Sequence, residues 1–346
     1  MPSGDGLLIR VKPFGGRLDA TKLRVIADVA SECGNGMVEL TSRGNLQLRG
    51  LSDESVAIAS NTLVAAGLAD AEAARERRRN VIAVPPCDDA LVARIEAVMA
   101  EIADLAPKFC VAVGDADADI VARDGFVIAG DECIACEGQD VAAVVERIAR
   151  AAGGRRMTSR SAHSMIETAC HPSPQPPPVR RGGVAPAFPP PLVGRAGGGA
   201  AALIALPFGQ TASGALLALA KLVNGATLQT TPWRAFYINA KPDQSALAAL
   251  GFIIDATDPR RSIAACPGAP ACNSATVATR ADANFLASLG IGNIHVSGCA
   301  KGCAHHRSAT TLTGSNGRYN LVRHGLASDA PELIGLTIDE AAAALA

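Results

Sequence analysis

Aromatic side chains are scarce in this chain: one Trp, two Tyr and eight Phe in 346 residues. Few rings are available to stack on bases. Neither sign of charge is in excess, since 32 Lys and Arg stand against 33 Asp and Glu for a formal net charge of −1. A protein that tracks a phosphate backbone needs clustered, uncompensated cations, so no nucleic-acid partner is expected. The chain also lacks a P-loop and a Gly-x-Gly-x-x-Gly strand–turn–helix. It offers no nucleotide cradle, so nicotinamide-derived electrons would arrive through an electron-donor protein or reductase. Residues 1–6 carry no basic stretch ahead of an apolar run, and no secretory leader is expected. Residues 196–220 are uncharged and approach the length of a membrane span, but Pro207-Phe208-Gly209 and Ser213-Gly214 interrupt them. A strand, a turn and a helix fit that pattern better, and a cytoplasmic location with no membrane partner is the expectation.

What the chain does have is apolar mass and cysteine. Apolar residues make up 49% of it, enough for a sizeable core, and the length suits one large domain or two ordinary ones. Ten cysteines in a cytoplasmic chain point to metal binding or redox chemistry rather than to disulfides.

Residues 6–50 and 202–238 resemble each other. Each opens on a short β-rich run and reaches Pro-Phe-Gly, at Pro13-Phe14-Gly15 and Pro207-Phe208-Gly209. Apolar residues at helical spacing follow: Leu23, Ile26, Ala27 and Ala30 in one, Leu216, Leu217, Ala220 and Leu222 in the other. A second strand then returns, and a second helix is expected at 53–66 and 244–250. That order suits a duplicated ferredoxin-like α+β unit. Residues 79–165 and 259–346 each read as a further α/β stretch, with helices near 89–104, 140–152, 280–289 and 337–345 and strands at 109–113 and 293–296. Residues 171–200 are dominated by Pro, Gly and Arg and read as a linker. The expected divisions are 1–75, 76–170, 171–200, 201–258 and 259–346.

The sharpest motif is a pair of cysteine pairs, Cys266-x5-Cys272 and Cys299-x3-Cys303, set in Gly/Pro/Ala loops. Four thiolates suit a [4Fe–4S] cube, each iron taking one terminal sulfur, and they also suit tetrahedral zinc. Zinc pairs favour gaps of two to four residues, and one gap here is five. Cys133-Ile134-Ala135-Cys136 is a lone CxxC, more in keeping with a partly buried pair in a turn than with a metal site.

These two pairs, with their glycines and prolines, resemble the cluster-binding signature of the sirohaem-dependent nitrite and sulfite reductase superfamily. The resemblance covers nearly the whole chain outside the linker. It implies two ferredoxin-like halves and two α/β halves around a pseudo-twofold axis, the sulfite-reductase-like haemoprotein fold. It also implies a [4Fe–4S] cluster on Cys266, Cys272, Cys299 and Cys303, with Cys303 at the position that bridges to a sirohaem iron. Thr41-Ser42-Arg43-Gly44-Asn45-Leu46-Gln47 resembles the family's Arg-x-x-x-Gln strand and would place Arg43 and Gln47 at a tetrapyrrole. Arg79-Asn80-Val81 and Pro107-Lys108-Phe109 resemble two further cationic positions. Arg234, in Thr231-Pro232-Trp233-Arg234, is a candidate by the internal pseudo-symmetry. A tetrapyrrole with eight carboxylates needs a cationic cavity, Arg supplying a bidentate fork and Lys a point charge. Lys108, Arg43 and Arg79 are the candidates for catalytic roles.

One departure is informative. Where sulfite reductases have Lys-x-Lys, this chain has Lys108-Phe109-Cys110. Leu206-Pro207-Phe208-Gly209, Thr231-Pro232-Trp233-Arg234 and Ser297 to His305 are similar to the precorrin-3B synthase branch of the superfamily. That branch hydroxylates precorrin-3A at C20 with O2 and reducing equivalents and forms a γ-lactone from the ring A acetate, in aerobic cobalamin biosynthesis. The resemblance thus implies an iron–sulfur monooxygenase, with a mononuclear non-haem iron as a further candidate cofactor. His305 and His306 are the nearest imidazoles for such an iron, or for a substrate carboxylate. The alternatives are a sirohaem-dependent nitrite or sulfite reductase, in which the tetrapyrrole is a cofactor, and a non-catalytic metal-binding protein. Electron donor and oligomeric state are not legible.

Overall fold

Four β-sheets, each flanked by helices, organise the chain in this computed structural model, which describes residues 2–3, 5–106, 108–123, 125–130, 132–136, 139–153, 155 and 201–346. The expected linker at 171–200, together with Cys170 and Pro107, lies outside the described residues. Among the described residues no helix is long and apolar enough to cross a membrane.

The first ferredoxin-like half pairs strands Pro2–Ser3, Gly6–Val11, Leu46–Leu51 and Met37–Leu40 in that order. The second pairs Ala202–Ala205, Ala235–Ile238 and Leu228–Thr230. Each sheet is completed by the other half. Gln210–Ala212 runs antiparallel to Met37–Leu40, and Arg17–Leu18 runs antiparallel to Leu228–Thr230. The helices Ala20–Cys33 and Ser213–Leu222 pack on each other. Leu23, Ile26, Leu46, Leu48, Leu216, Leu219, Phe236 and Ile238 accordingly form one apolar cluster across both halves. Each such fully buried side chain stabilises by about 1.5–3 kcal/mol.

The helices start where short polar side chains can take up free backbone N–H groups. Asp19 accepts from Lys22 N, Ser52 and Ser55 form a reciprocal capping box, and Asp88, Asp140 and Thr337 cap later helices.

The two remaining sheets repeat one topology. In the first, Val81–Ala83, Val111–Val113 and Ile120–Arg123 are parallel, and Phe126–Ala129 and Glu132–Ala135 continue antiparallel. In the second, Ala264–Ala265, Ile294–Ser297 and Ala309–Ser315 are parallel, and Arg318–Gly325 and Leu333–Leu336 continue antiparallel. Helices Asp89–Glu101 and Thr279–Ser288 follow the first strand of each, and Val141–Ala152 and Ile338–Leu345 close each unit. The duplicated ferredoxin-like α+β architecture expected from the sequence is therefore present.

Two local expectations shift. The Pro-Phe-Gly turns are not superimposable residue for residue. Gly16 N donates to Pro13 O and Gly209 N to Leu206 O, which makes Gly16 the counterpart of Gly209 and Gly15 (φ 60°) the counterpart of Phe208 (φ 53°). The basic run Arg75-Glu76-Arg77-Arg78-Arg79, which by its composition reads as mainly a solvated linker apart from Arg79, is mostly a short helix, Ala73–Arg78. Cys133 lies on a strand with its thiol pKa pushed up by burial, and Cys136 is buried in the apolar core.

Candidate functional site

The outward face of the first ferredoxin-like sheet faces the α/β sheets. Strand alternation sends Val11, Leu46 and Leu48 into the core and leaves Arg10, Gln47 and Glu39 as a cross-strand row. No hydrogen bond or ion pair to the side chains of Arg10, Arg43 or Gln47 is found among the described residues. Arg43 begins the turn into this strand, where its N–H donates to Thr41 Oγ1 at 3.3 Å. Arg10 has its pKa lowered, by burial first and then by the charge of Arg43. Two neighbouring guanidinium groups without a counter-charge are a standing demand for anions.

Lys12, just past the same strand, joins them. Its Nζ donates to Glu76 O at 2.7 Å. Burial lowers its pKa to about 8 despite the nearby Glu76, with Arg79 and Arg10 pushing the same way as burial and Cys110 against it. The chain has no lysine at 110, and the structure brings Lys12 to that neighbourhood from the turn after Gly6–Val11. Cys110 and Trp233 meet in a small apolar cluster with Ile82, Val84 and Ala112. Lys108 is exposed in the turn before Val111–Val113, while Phe109 is buried on the opposite face.

Arg79 is placed differently from the expectation of a free cation. It is 2% exposed and its guanidinium is committed. It donates to Glu76 Oε2 at 2.8 Å and to Lys12 O at 2.5 Å, faces Glu96 at 3.6 Å and lies over the Phe14 ring at 3.7 Å. Those contacts make it a strut that joins the Pro-Phe-Gly turn to the α/β unit. Glu96 in turn accepts from Gly15 N, and burial raises its pKa.

Arg234 occupies an unexpected place in the repeat. Thr41 N donates to Asn45 O and Thr231 N to Ala235 O, so the two turns align with Trp233 opposite Arg43 and Arg234 opposite Gly44. Gly44 has φ 68° and Arg234 has φ 56°, a left-handed conformation costly for a residue with a Cβ. Its Nη2 donates to Ala304 O at 2.9 Å. Its pKa is lowered, by burial first and then by Arg280. Arg280 itself bonds Glu39 at 2.5 Å, and Arg49 pairs with Asp5 and Glu39.

The cysteines follow the carboxyl ends of the second α/β sheet's parallel strands, where open α/β sheets place their ligands. Cys266 comes directly after Ala264–Ala265, and Cys299 two residues after Ile294–Ser297. Cys266 Sγ accepts from Gly298 N at 3.2 Å, and Lys301 Nζ donates to Ser274 Oγ at 3.0 Å, so the two loops are tied together. The Cys303 thiol has its pKa raised by burial first, then by Cys299, Cys266 and Cys272. A Cβ on Gly298 would stand 2.5 Å from that of Ala275, which leaves only glycine able to make this approach.

The loops thus bring the four cysteines into one region, but not into a ligand set. Among the described residues no group of three or more His, Cys, Asp or Glu side chains could hold a metal ion. Cys266 is buried, Cys272 and Cys299 are half-buried and Cys303 is exposed. The expectation of a [4Fe–4S] cluster on Cys266, Cys272, Cys299 and Cys303, and of an iron–sulfur enzyme built on it, is overturned by this finding. The mononuclear iron expected near His305 and His306 falls with it, as does a sirohaem bridged through Cys303. Spacing along the chain fixed which cysteines share a region and left their side-chain geometry open.

Sequence reasoning missed Arg10 and Lys12. Their signal was the alternation Arg10-Val11-Lys12 at the end of a strand whose counterpart, Leu203-Ile204-Ala205, is apolar throughout.

Comparison with known proteins agrees with this architecture. Residues 1–66 match the family model described as the nitrite/sulfite reductase ferredoxin-like half domain. A precorrin-3B synthase from Sinorhizobium sp. is 30% identical over 385 residues, covering 96% of this chain and 82% of that protein. The solved structure of the Mycobacterium tuberculosis NirA protein superposes with a TM-score of 0.70 at 19% identity, covering 97% of this chain and 79% of that one.

Proposed function

Because this chain belongs to the nitrite and sulfite reductase superfamily with ferredoxin-like half domains, in which it is similar to a precorrin-3B synthase, we propose that it acts on a polycarboxylate tetrapyrrole, precorrin-3A. The observation that carries the reading is the pair of guanidinium groups, Arg10 and Arg43, that have no ion-pair partner among the described residues, next to the partly desolvated Lys12. Carboxylates arranged around a planar macrocycle are the counter-charges such a group requires.

The reaction adds one atom of O2 at C20 and releases the other as water, consuming two electrons and two protons. The ring A acetate then closes as a γ-lactone. The electrons come from a donor protein. In this reading Arg10 and Arg43 bind peripheral carboxylates, with Gln47 between them and Glu39 to hold the ring's edge. Lys108 contributes a further cation at the rim. Lys12, with its pKa held at about 8, is charged at neutral pH and placed to give up a proton. Arg79 supports the site by holding Lys12's backbone and the Phe14 turn.

The test is direct. The full chain is mixed with precorrin-3A, O2, a ferredoxin and its reductase, and products are read by mass spectrometry. The expected result is gain of one oxygen with lactone formation, and a KM raised about tenfold or more in Arg43→Ala with little change in kcat. A wild-type chain that neither binds nor converts precorrin-3A sinks the reading.

A further inference from the structure

His295 is the most conspicuous polar group that the site described above leaves unused. It sits within strand Ile294–Ser297, 1% exposed. Its Nδ1 lies 3.5 Å from Thr311 Oγ1, and its Nε2 is buried with no hydrogen-bond partner. An orphaned ring nitrogen in that position carries the desolvation cost of a missing partner, about 1–3 kcal/mol. Native interiors rarely leave such a group unanswered unless something else supplies the bond.

Among the described residues, the charged groups that bear on it are basic ones. The His305 ring lies 5.8 Å away, centroid to centroid, tilted by 54°. Arg234 reaches the same loop through its bond to Ala304 O. The charges that bear on His295 are His305, Arg234 and His306. Arg234 meanwhile holds a left-handed backbone at a turn position that the other half fills with glycine. A strained residue kept where glycine would serve suggests that its side chain is needed.

We propose that Arg234, His295 and His305 form a second anion site, which takes one carboxylate of the ligand on the half of the molecule opposite Arg10, Lys12 and Arg43. The identity of that carboxylate, as a side chain of a tetrapyrrole, rests on the function proposed above. Arg234 supplies a charged donor. Thr311 Oγ1 also lies 3.4 Å from Ala309 O, to which it donates; when the ligand binds, the hydroxyl turns to donate to Nδ1, and His295 then carries its proton on Nε2 and donates from there. His305, half-buried and in front of it, swings aside to admit the carboxylate and donates to its second oxygen. Trp233, the neighbour of Arg234, packs against the Cys110 cluster close to Lys12, so one macrocycle would span both sites.

Two titrations of the full chain test this. Uroporphyrin III, which carries eight carboxylates, is followed by its absorption, and acetate by the ring-nitrogen signals of 15N-histidine-labelled protein. Arg234→Gly and His305→Ala are each expected to weaken uroporphyrin binding about tenfold, a loss of about 1.4 kcal/mol. Glycine suits φ 56°, which offsets part of the packing and of the bond to Ala304 O that Arg234→Gly loses, and a cooperative thermal transition retained in the variant separates lost binding from lost fold. The His295 Nε2 signal should move saturably with acetate in wild type and stay still in Arg234→Gly. Uroporphyrin binding that depends on Arg43 but not on Arg234 or His305, with no acetate response, overturns the second site and leaves the tetrapyrrole reading intact. An acetate response without uroporphyrin binding has the reverse meaning: the anion site stands and the tetrapyrrole reading fails.

Discussion

Acid should unfold this protein partly through one imidazole. Burial, followed by the charges of His305, Arg234 and His306, lowers the pKa of His295 from 6.5 to about 4. The unfolded chain therefore binds this proton more readily than the folded one, and the sign follows. Between pH 6.5 and 4 stability falls as pH falls, and outside that window His295 contributes no slope. One pKa unit is worth about 1.4 kcal/mol, so the whole window is worth about 3 kcal/mol. The perturbation is His295→Gln, which keeps a polar group of similar reach and removes the titration. Urea unfolding of wild type and variant is measured from pH 7 to 4 and the two stabilities are subtracted. The carboxylates whose pKa values are lowered by local hydrogen bonds, Asp70, Asp255, Asp258 and Glu340, are common to both proteins and cancel. Wild type is expected to lose about 3 kcal/mol relative to the variant across the window. A difference that stays flat would refute the burial argument, because a histidine free to protonate in the folded state has no such slope.

Other expectations follow from the same contacts. Arg79→Met leaves Glu76 and Glu96 without their partner and should cost about 3–5 kcal/mol, with part of the loss recovered in the Arg79→Met, Glu96→Gln double variant, as a denaturation cycle would show. Gly209→Ala places a Cβ 2.6 Å from Leu40 O at φ 78° and should lower the melting temperature, costing about 1–2 kcal/mol for the left-handed backbone before the clash is counted. Gly214→Ala, on an exposed helical turn with nothing within 4 Å, should raise stability by about 0.5–1 kcal/mol. Uroporphyrin III affinity should fall as pH rises through about 8, where Lys12 loses its proton, and Lys12→Arg should flatten that profile.

The layout of the halves was legible because its signals are local. Helical spacing at Leu23, Ile26, Ala27 and Ala30 marks a buried stripe, and Pro-Phe-Gly marks a turn wherever it occurs. The one-residue offset between the two turns was not, because Phe208 accepts a left-handed backbone that the other copy gives to Gly15. Strands Ile120–Arg123, Phe126–Ala129 and Glu132–Ala135 are four residues each, too short for alternation to stand out. Arg79 was visible as a cation in a motif, but whether a cation is free or paired depends on carboxylates such as Glu96, which only the fold brings near. The cysteine spacing named a region correctly and a ligand set incorrectly, since sequence separation says nothing about where thiols point.

The exchange of strands between the ferredoxin-like halves has a consequence for the order of synthesis. Met37–Leu40 leaves the ribosome long before Gln210–Ala212, the strand that covers its edge. Until then the first half carries an unpaired row of backbone N–H and C=O groups beside Leu46 and Leu48, a template for any passing strand. Arg17–Leu18 waits in the same way for Leu228–Thr230. The nascent amino-terminal half thus carries an open sheet edge, exposed to mispairing, until its counterpart has been made.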